Sequence, residues 1–95
     1  MPLFHFHVED SISYPDYDGT ELASVDAARI EAVRVAGEIL KDHARQFWDS
    51  GDWQVVVTDE AQTVLFSLHF AGIEAPVPPE RYRPSAPLAT GRAIS

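Results

Sequence analysis

The stretch that decides the fold is VDAARIEAVRVAGEILKDHARQFW, residues 25–48. Its apolar residues recur at intervals of three and four, the period of one buried face of an α-helix. These residues are Val25, Ala28, Ala32, Val35, Ala36, Ile39, Leu40 and Phe47. Ser24 precedes the run as an N-cap, and Gly51 follows it as a left-handed C-terminal cap. We therefore predict one amphipathic helix from about Val25 to Trp48.

Three segments around this helix alternate apolar and polar residues, which predicts β-strands at 3–8, 53–58 and 64–70. Weaker strand pieces are predicted at 12–14 and 20–22, on either side of a turn at Asp18-Gly19. One helix on one face of a small antiparallel sheet buries all of these stripes, so we predict an α+β fold in the order β-(β)-α-β-β. The residues expected to face the helix are Phe4, Phe6, Trp53, Val55, Val57, Phe66 and Phe70.

Residues 73–95 contain five prolines and no periodic apolar pattern. Such a composition is typical of a flexible segment. We predict a single domain over residues 1–72, followed by a Pro-rich flexible tail over residues 73–95. The spacing of Arg81, Pro84 and Pro87 also fits a polyproline ligand with a basic anchor, although a solvated tail is the preferred interpretation.

The chain is acidic, with 15 acidic and 7 basic residues and a formal net charge of −8. This charge repels phosphate backbones, so we expect no nucleic-acid partner, and it suits either solubility or a basic protein partner. The absence of cysteine excludes disulfides, thiolate catalysis and Cys-type zinc sites. No signal-peptide pattern and no membrane-length apolar run are present, so we expect a cytoplasmic protein without membrane contact.

A series of short motifs runs through the chain in a fixed order. These motifs are Phe4-x-Phe6-x-Val8-x-Asp10, Pro15-Asp16, Gly19-x-Glu21-Leu22, Ala28-x-x-Glu31-Ala32, Val55-x-Val57-x-Asp59-Glu60, Val64-Leu65 and Phe70. The series resembles a family of short, uncharacterised bacterial proteins abundant in alphaproteobacteria, domain of unknown function 6894, over residues 1–70. Ser11 and Gln62 stand where that family often has glycine. The resemblance implies no established activity, cofactor or catalytic residue.

A looser, architectural resemblance concerns the segment from Gly19 to Ala32. This segment is similar to the antitoxin half of HicA/HicB-type toxin–antitoxin pairs, which also pack a helix on a small antiparallel sheet. The resemblance implies an alternative function as the acidic, antitoxin-like partner of a basic protein. Similarity of fold alone is a weak indication of function.

Histidines form the sharpest candidate site. His5 and His7 share the outer face of the first strand, and His69 lies on the outer face of the last strand. If those strands were neighbours, three imidazoles could hold zinc, which keeps a metal-binding protein or enzyme as an alternative. Half-exposed strand faces also tolerate histidine, so we predict no cofactor. His43 is expected to be a partly buried structural residue near the helix C-terminus.

The side of the sheet that the helix leaves uncovered must meet water or another protein. Its candidate interaction residues are Leu3, His5, His7, Val56, Leu65 and His69. Such a surface could pair with its own copy in a twofold dimer. Because no nucleophile-elbow or phosphate-loop motif is present, we predict no catalytic residue and no enzyme activity. The leading hypothesis is a non-enzymatic protein-interaction module that uses this face or an edge strand, with homodimerisation through the face as one form of it.

Overall fold

The computed structural model describes residues 1–10, 12–76 and 78–84. Within these residues the chain forms five strands and two helices. In chain order they are β1 Leu3–Glu9, β2 Ser13–Tyr14, β3 Thr20–Glu21, α1 Val25–Asp42, α2 Ala44–Ser50, β4 Asp52–Thr58 and β5 Val64–Ala71. The predicted α+β class is confirmed, with α1 lying next to an antiparallel sheet.

The sheet has the order β2-β1-β4-β5, and β3 also pairs with β1. β2 pairs with one end of β1, opposite Val8 and Glu9, whereas β3 pairs with the other end, opposite Leu3 and Phe4. The hairpin between β4 and β5 closes through Asp59, whose carboxylate accepts the Thr63 backbone N–H at 2.9 Å. β1 and β4 are the inner strands of this order, and β5 is an outer strand.

The core lies between the inner face of the sheet and α1. Phe4, Phe6, Val55 and Val57 pack there against three alanines of the helix, Ala28, Ala32 and Ala36. Ala28, Ala32, Val55 and Val57 have no exposed surface at all. Because alanine carries only a methyl group, the helix backbone approaches the sheet closely, and branched side chains on the strands fill the space. This arrangement confirms the predicted inner face.

The single helix predicted for residues 25–48 is divided at His43, which has φ −124° and ψ 35°. The backbone hydrogen bonds continue on both sides, since His43 N–H donates to the Ile39 carbonyl and its own carbonyl accepts from Phe47 N–H. After the break, Phe47 is buried in edge contact with Trp53, with 5.5 Å between ring centroids. The expectation that His43 is partly buried is wrong, because its side chain is exposed.

The predicted helix ends are observed. The Ser24 hydroxyl accepts the Ala27 N–H at 3.1 Å, and Gly51 ends α2 with φ 72°. Residues 73–76 and 78–84 form no helix or strand and are exposed. Pro87 and the remainder of the predicted flexible tail after residue 84 lie outside the described residues. None of the helices in the described ranges is long and apolar enough to cross a membrane.

Candidate interaction surface on the sheet

The three outer-face histidines of the metal hypothesis do not converge. His7 lies opposite Val56 of β4, and His69 of β5 lies opposite Gln54 of the same strand. Since β4 separates β1 from β5, the condition that the first and last strands are neighbours is not met. Within residues 1–10, 12–76 and 78–84, no group of three or more His, Asp or Glu side chains is arranged to hold a metal ion.

The expectation that the whole outer face is uncovered is wrong for β1, because the loop between β2 and β3 lies over it. The backbone of Gly19 is so close that an added Cβ would lie 2.9 Å from Leu3 Cγ and 3.0 Å from His5 Cε1. Gly19 has φ 74°, the left-handed conformation predicted for the Asp18-Gly19 turn. Leu3, His5 and His7 are half-buried beneath this loop.

Asp16 fastens this loop to β1, in the gap left between β2 and β3. Its Oδ2 accepts the Phe6 backbone N–H at 3.0 Å, and its Oδ1 accepts the Gly19 N–H at 3.1 Å. Phe6 lies between the residues of β1 that pair with β2 and those that pair with β3. The carboxylate thus takes the place of a strand partner at this point of the β1 edge.

The two histidines of β1 are bound into the same loop. The Asp16 N–H donates to His7 Nδ1 at 3.0 Å, so Nδ1 is an acceptor and the His7 proton is on Nε2. Nε2 then donates to Oγ1 of Thr58, a residue that is only 5% exposed, at 3.0 Å. His5 Nδ1 donates to the Asp16 carbonyl at 2.9 Å. Both imidazoles therefore serve as structural hydrogen-bonding groups.

The environment of Asp16 favours its ionised form. Burial by itself would raise the pKa of the carboxyl group, but hydrogen bonds from the N–H groups of Phe6, Gly19 and Asp18 outweigh burial. The nearby His5 acts in the same direction as these bonds, and the net effect holds the pKa of Asp16 below its ordinary value of 3.8. Three N–H donors around one carboxylate are the arrangement expected for a fixed anchor of the loop.

The remaining predicted residues, Val56, Leu65 and His69, lie on the β4–β5 side of the sheet, which the loop does not cover. Leu65 is 38% exposed, and His69 is exposed beside it on β5. Leu65 also marks a register irregularity, because Val57 pairs with Phe66 whereas Thr58 pairs with Val64. Val56 is half-buried, so of the six predicted surface residues Leu65 and His69 are the two that are exposed.

β5 carries a free edge, and the sequence allowed an interaction through an edge strand without showing which strand that is. The Gly72 N–H donates to the Gly51 carbonyl at 2.8 Å, which identifies these two residues as a hydrogen-bonded pair of the antiparallel ladder. Hydrogen-bonded and non-hydrogen-bonded pairs alternate along such a ladder. Consequently Ser67, His69 and Ala71 direct their N–H and C=O groups away from β4. No strand in the described part of the chain pairs with this edge.

Comparison with known proteins identifies the family. Neither a search of curated proteins nor a search of solved structures finds a match. A family model described as Domain of unknown function (DUF6894) matches residues 3–71, which is the span from the start of β1 to the end of β5. The chain therefore belongs to this family of unknown function, as the order and spacing of its short motifs predicted.

Proposed function

We propose that the protein is a non-enzymatic interaction module that pairs with a second copy of itself through the edge of β5. The observation that carries this proposal is the character of that edge. β5 has the sequence VLFSLHFA, which contains no Lys, Arg, Asp, Glu or Pro over eight residues. Proteins normally block an exposed edge of this length with charges, prolines or a covering segment. An unblocked edge suits main-chain pairing with another strand.

The opposite edge of the sheet supports the proposal by contrast. There the outward side of β1 is paired at both ends by β2 and β3, and Asp16 occupies the gap between them. Protection against edge pairing is thus built into one side of the sheet and is missing from the other. A module that had to avoid all such contacts would need a comparable device on β5.

Antiparallel self-pairing fits the positions of the outward-directed backbone groups along β5. With a twofold axis at Ser67, the outward N–H and C=O groups of Ser67 meet those of its own copy, and Leu65 comes opposite His69. Both inner faces then lie on one side of a continuous sheet, and Val56, Leu65 and His69 of the two copies line its other side. Because β5 carries no formal charge, the −8 chain repels its copy least along this strand.

Light scattering on an eluting column peak, run from low to high micromolar concentration, tests the proposal. The wild type should rise from 10.5 kDa towards twice that mass. Ser67→Lys places a charge at the centre of the exposed edge and should hold the mass at the monomer value. Ser13→Lys, an exposed position on the blocked edge, is the matched control and should still dimerise. A monomeric wild type, or dimerisation unchanged by Ser67→Lys, would refute the proposal.

A second candidate function is that of an acidic, antitoxin-like partner of a basic protein. It is motivated by the excess of acidic over basic residues, and the same excess argues against nucleic acid as a ligand. The lack of cysteine fits a reducing compartment such as the cytoplasm. A basic protein retained from native cell extract at low salt and released at about 1 M salt, where the Debye length falls to about 3 Å, would support it. No retention at low salt would contradict it.

A further inference from the structure

A groove of about 600 Å³ opens where α1 meets α2, and none of the surfaces described above uses it. Val8 and Trp53 line it from the sheet, and Ile39 lines it from α1. Tyr14 of β2 forms an aromatic wall and is 54% exposed. The groove thus has an apolar floor, on the inner side of the sheet at the end where the helix is divided.

The polar groups around this floor are acidic or already satisfied. The Trp53 indole N–H donates to Ser50 Oγ at 2.9 Å, and the His43 Nδ1 bonds Gln46 Oε1 at 2.7 Å. The remaining polar groups of the lining are the Tyr14 hydroxyl and the carboxylates of Asp10 and Asp49, and no lysine or arginine lines the groove. Two carboxylates therefore lie beside an apolar floor without a lysine or arginine of the lining to balance them, and His43 contributes the one imidazole there.

The two carboxylates differ in whether they already accept a hydrogen bond. Asp10 Oδ1 accepts the Ile12 N–H at 2.6 Å, which leaves the second oxygen of that carboxylate available. Asp49 belongs to α2, where its carboxylate makes no hydrogen bond or ion pair with any residue in the described ranges. A carboxylate accepts bidentate hydrogen bonds from a guanidinium group most effectively. Asp49 is accordingly the stronger candidate to receive a cation.

The chemistry of the lining selects among possible ligands. An anion would be repelled by Asp10 and Asp49, and a wholly apolar molecule would desolvate them without compensation. A guanidinium on an aliphatic stem satisfies both parts of the groove, because the stem covers apolar surface while the head reaches a carboxylate. The volume falls within the range of ligand pockets, so a short peptide segment fits better than one isolated side chain.

We propose that this groove binds a short arginine-containing segment of a partner protein. The arginine stem lies on Val8, Ile39 and Trp53, and its guanidinium group pairs with Asp49 and Asp10. The net charge of −8 raises the local concentration of such a basic segment. No residue of β5 takes part, so this binding does not depend on self-pairing of the protein.

Titration of the full chain with acetylated and amidated Leu-Arg-Leu tests the proposal by ¹H–¹⁵N NMR. The indole N–H signal of Trp53 reports on the groove, and that of Trp48, which is 58% exposed and outside the lining, is the internal reference. The Trp53 signal should shift saturably with the arginine peptide and remain unchanged with Leu-Glu-Leu. Leu-citrulline-Leu, which keeps the shape and loses the charge, should bind more weakly.

Variants assign the effect to the carboxylates. Asp49→Asn should weaken binding of the arginine peptide about two- to five-fold, the usual range for an accessible ion pair. Asp42→Asn removes an exposed charge outside the lining and should leave binding unchanged. Equal binding of the citrulline peptide, no shift of Trp53 at millimolar peptide, or an equal loss in both variants would overturn the proposal. The rest of each spectrum shows whether the variant is folded.

Discussion

Replacing Asp16 by alanine removes the group that fastens the β2–β3 loop to the edge of β1. Of the three N–H groups around its carboxylate, Phe6 donates at 3.0 Å and Gly19 at 3.1 Å. A hydrogen bond to a charged group contributes about 1.5–3 kcal/mol. Water reaches part of this site and replaces some of what is lost, so we expect Asp16→Ala to lower the free energy of unfolding by about 2–4 kcal/mol. Asp16→Asn keeps one acceptor and should cost about half as much.

The loss should depend on pH in a direction set by the lowered pKa of Asp16. Since the folded-state pKa lies below the ordinary 3.8, the unfolded chain binds the proton more readily than the folded one. The stabilisation is then fully present above the unfolded value and disappears as the pH falls through the folded value. The difference in stability between wild type and Asp16→Ala should therefore be largest at pH 7 and should shrink below about pH 4.

Urea unfolding followed by tryptophan fluorescence measures this difference at each pH. With a slope of about 1 kcal/mol per M, as for a small domain, the midpoint at pH 7 should fall by roughly 2 M or more. Asp18→Ala, at an exposed position in the same loop, is the matched control and should change stability by less than about 0.5 kcal/mol. A loss below about 0.5 kcal/mol for Asp16→Ala, or a loss independent of pH, would refute the anchoring role.

Three further substitutions follow from the same structure, each measured by urea unfolding. Gln62 has φ 65°, a left-handed conformation that is strained for a residue with a Cβ. Gln62→Gly should therefore stabilise the protein by about 0.5–1 kcal/mol, and an unchanged or lower stability would show that Gln62 is not strained. Ala32 is fully buried, so Ala32→Val overfills the core and should lower the free energy of unfolding by about 1–3 kcal/mol. Val33→Ala, on the exposed side of the helix, should change that free energy little. Thr58→Val leaves the His7 Nε2–H without its hydrogen-bond acceptor and should lower the free energy of unfolding by about 1–3 kcal/mol. An unchanged free energy would show that this bond does not contribute to stability.

Periodicity predicted the parts of the fold in which local pattern and burial coincide. The spacing of Ala28, Ala32 and Ala36 identified the buried face of α1, and the alternation of Phe4 and Phe6 identified the inner face of β1. The division of the helix at His43 was missed because the apolar spacing continues to Phe47 and no glycine or proline stands at the break. It accompanies the burial of Phe47 against Trp53, a tertiary contact that no local pattern encodes.

The candidate surface was predicted only in part, because alternation assigns a residue to a face without indicating which strands are neighbours. His5, His7 and His69 were assigned to one face correctly, but β4 separates His69 from the two histidines of β1. Asp16 entered the sequence analysis only as part of the Pro15-Asp16 motif, and its bond to Phe6 spans ten positions of the chain. Nothing in the spacing of Pro15, Asp16 and Gly19 distinguishes a turn that stays in solvent from one that folds back over a strand.

The unequal edges of the sheet determine how far self-association can proceed. In the dimer proposed above, the β5–β5 contact would use the one free edge of each copy, so association would stop at two subunits. Asp16, β2 and β3 occupy the edge of β1 at the other end of the sheet, so a further copy could not pair there. If the edge of β1 were free as well, every copy would present two edges for strand pairing, and the same backbone hydrogen bonding would join copies into an open-ended filament.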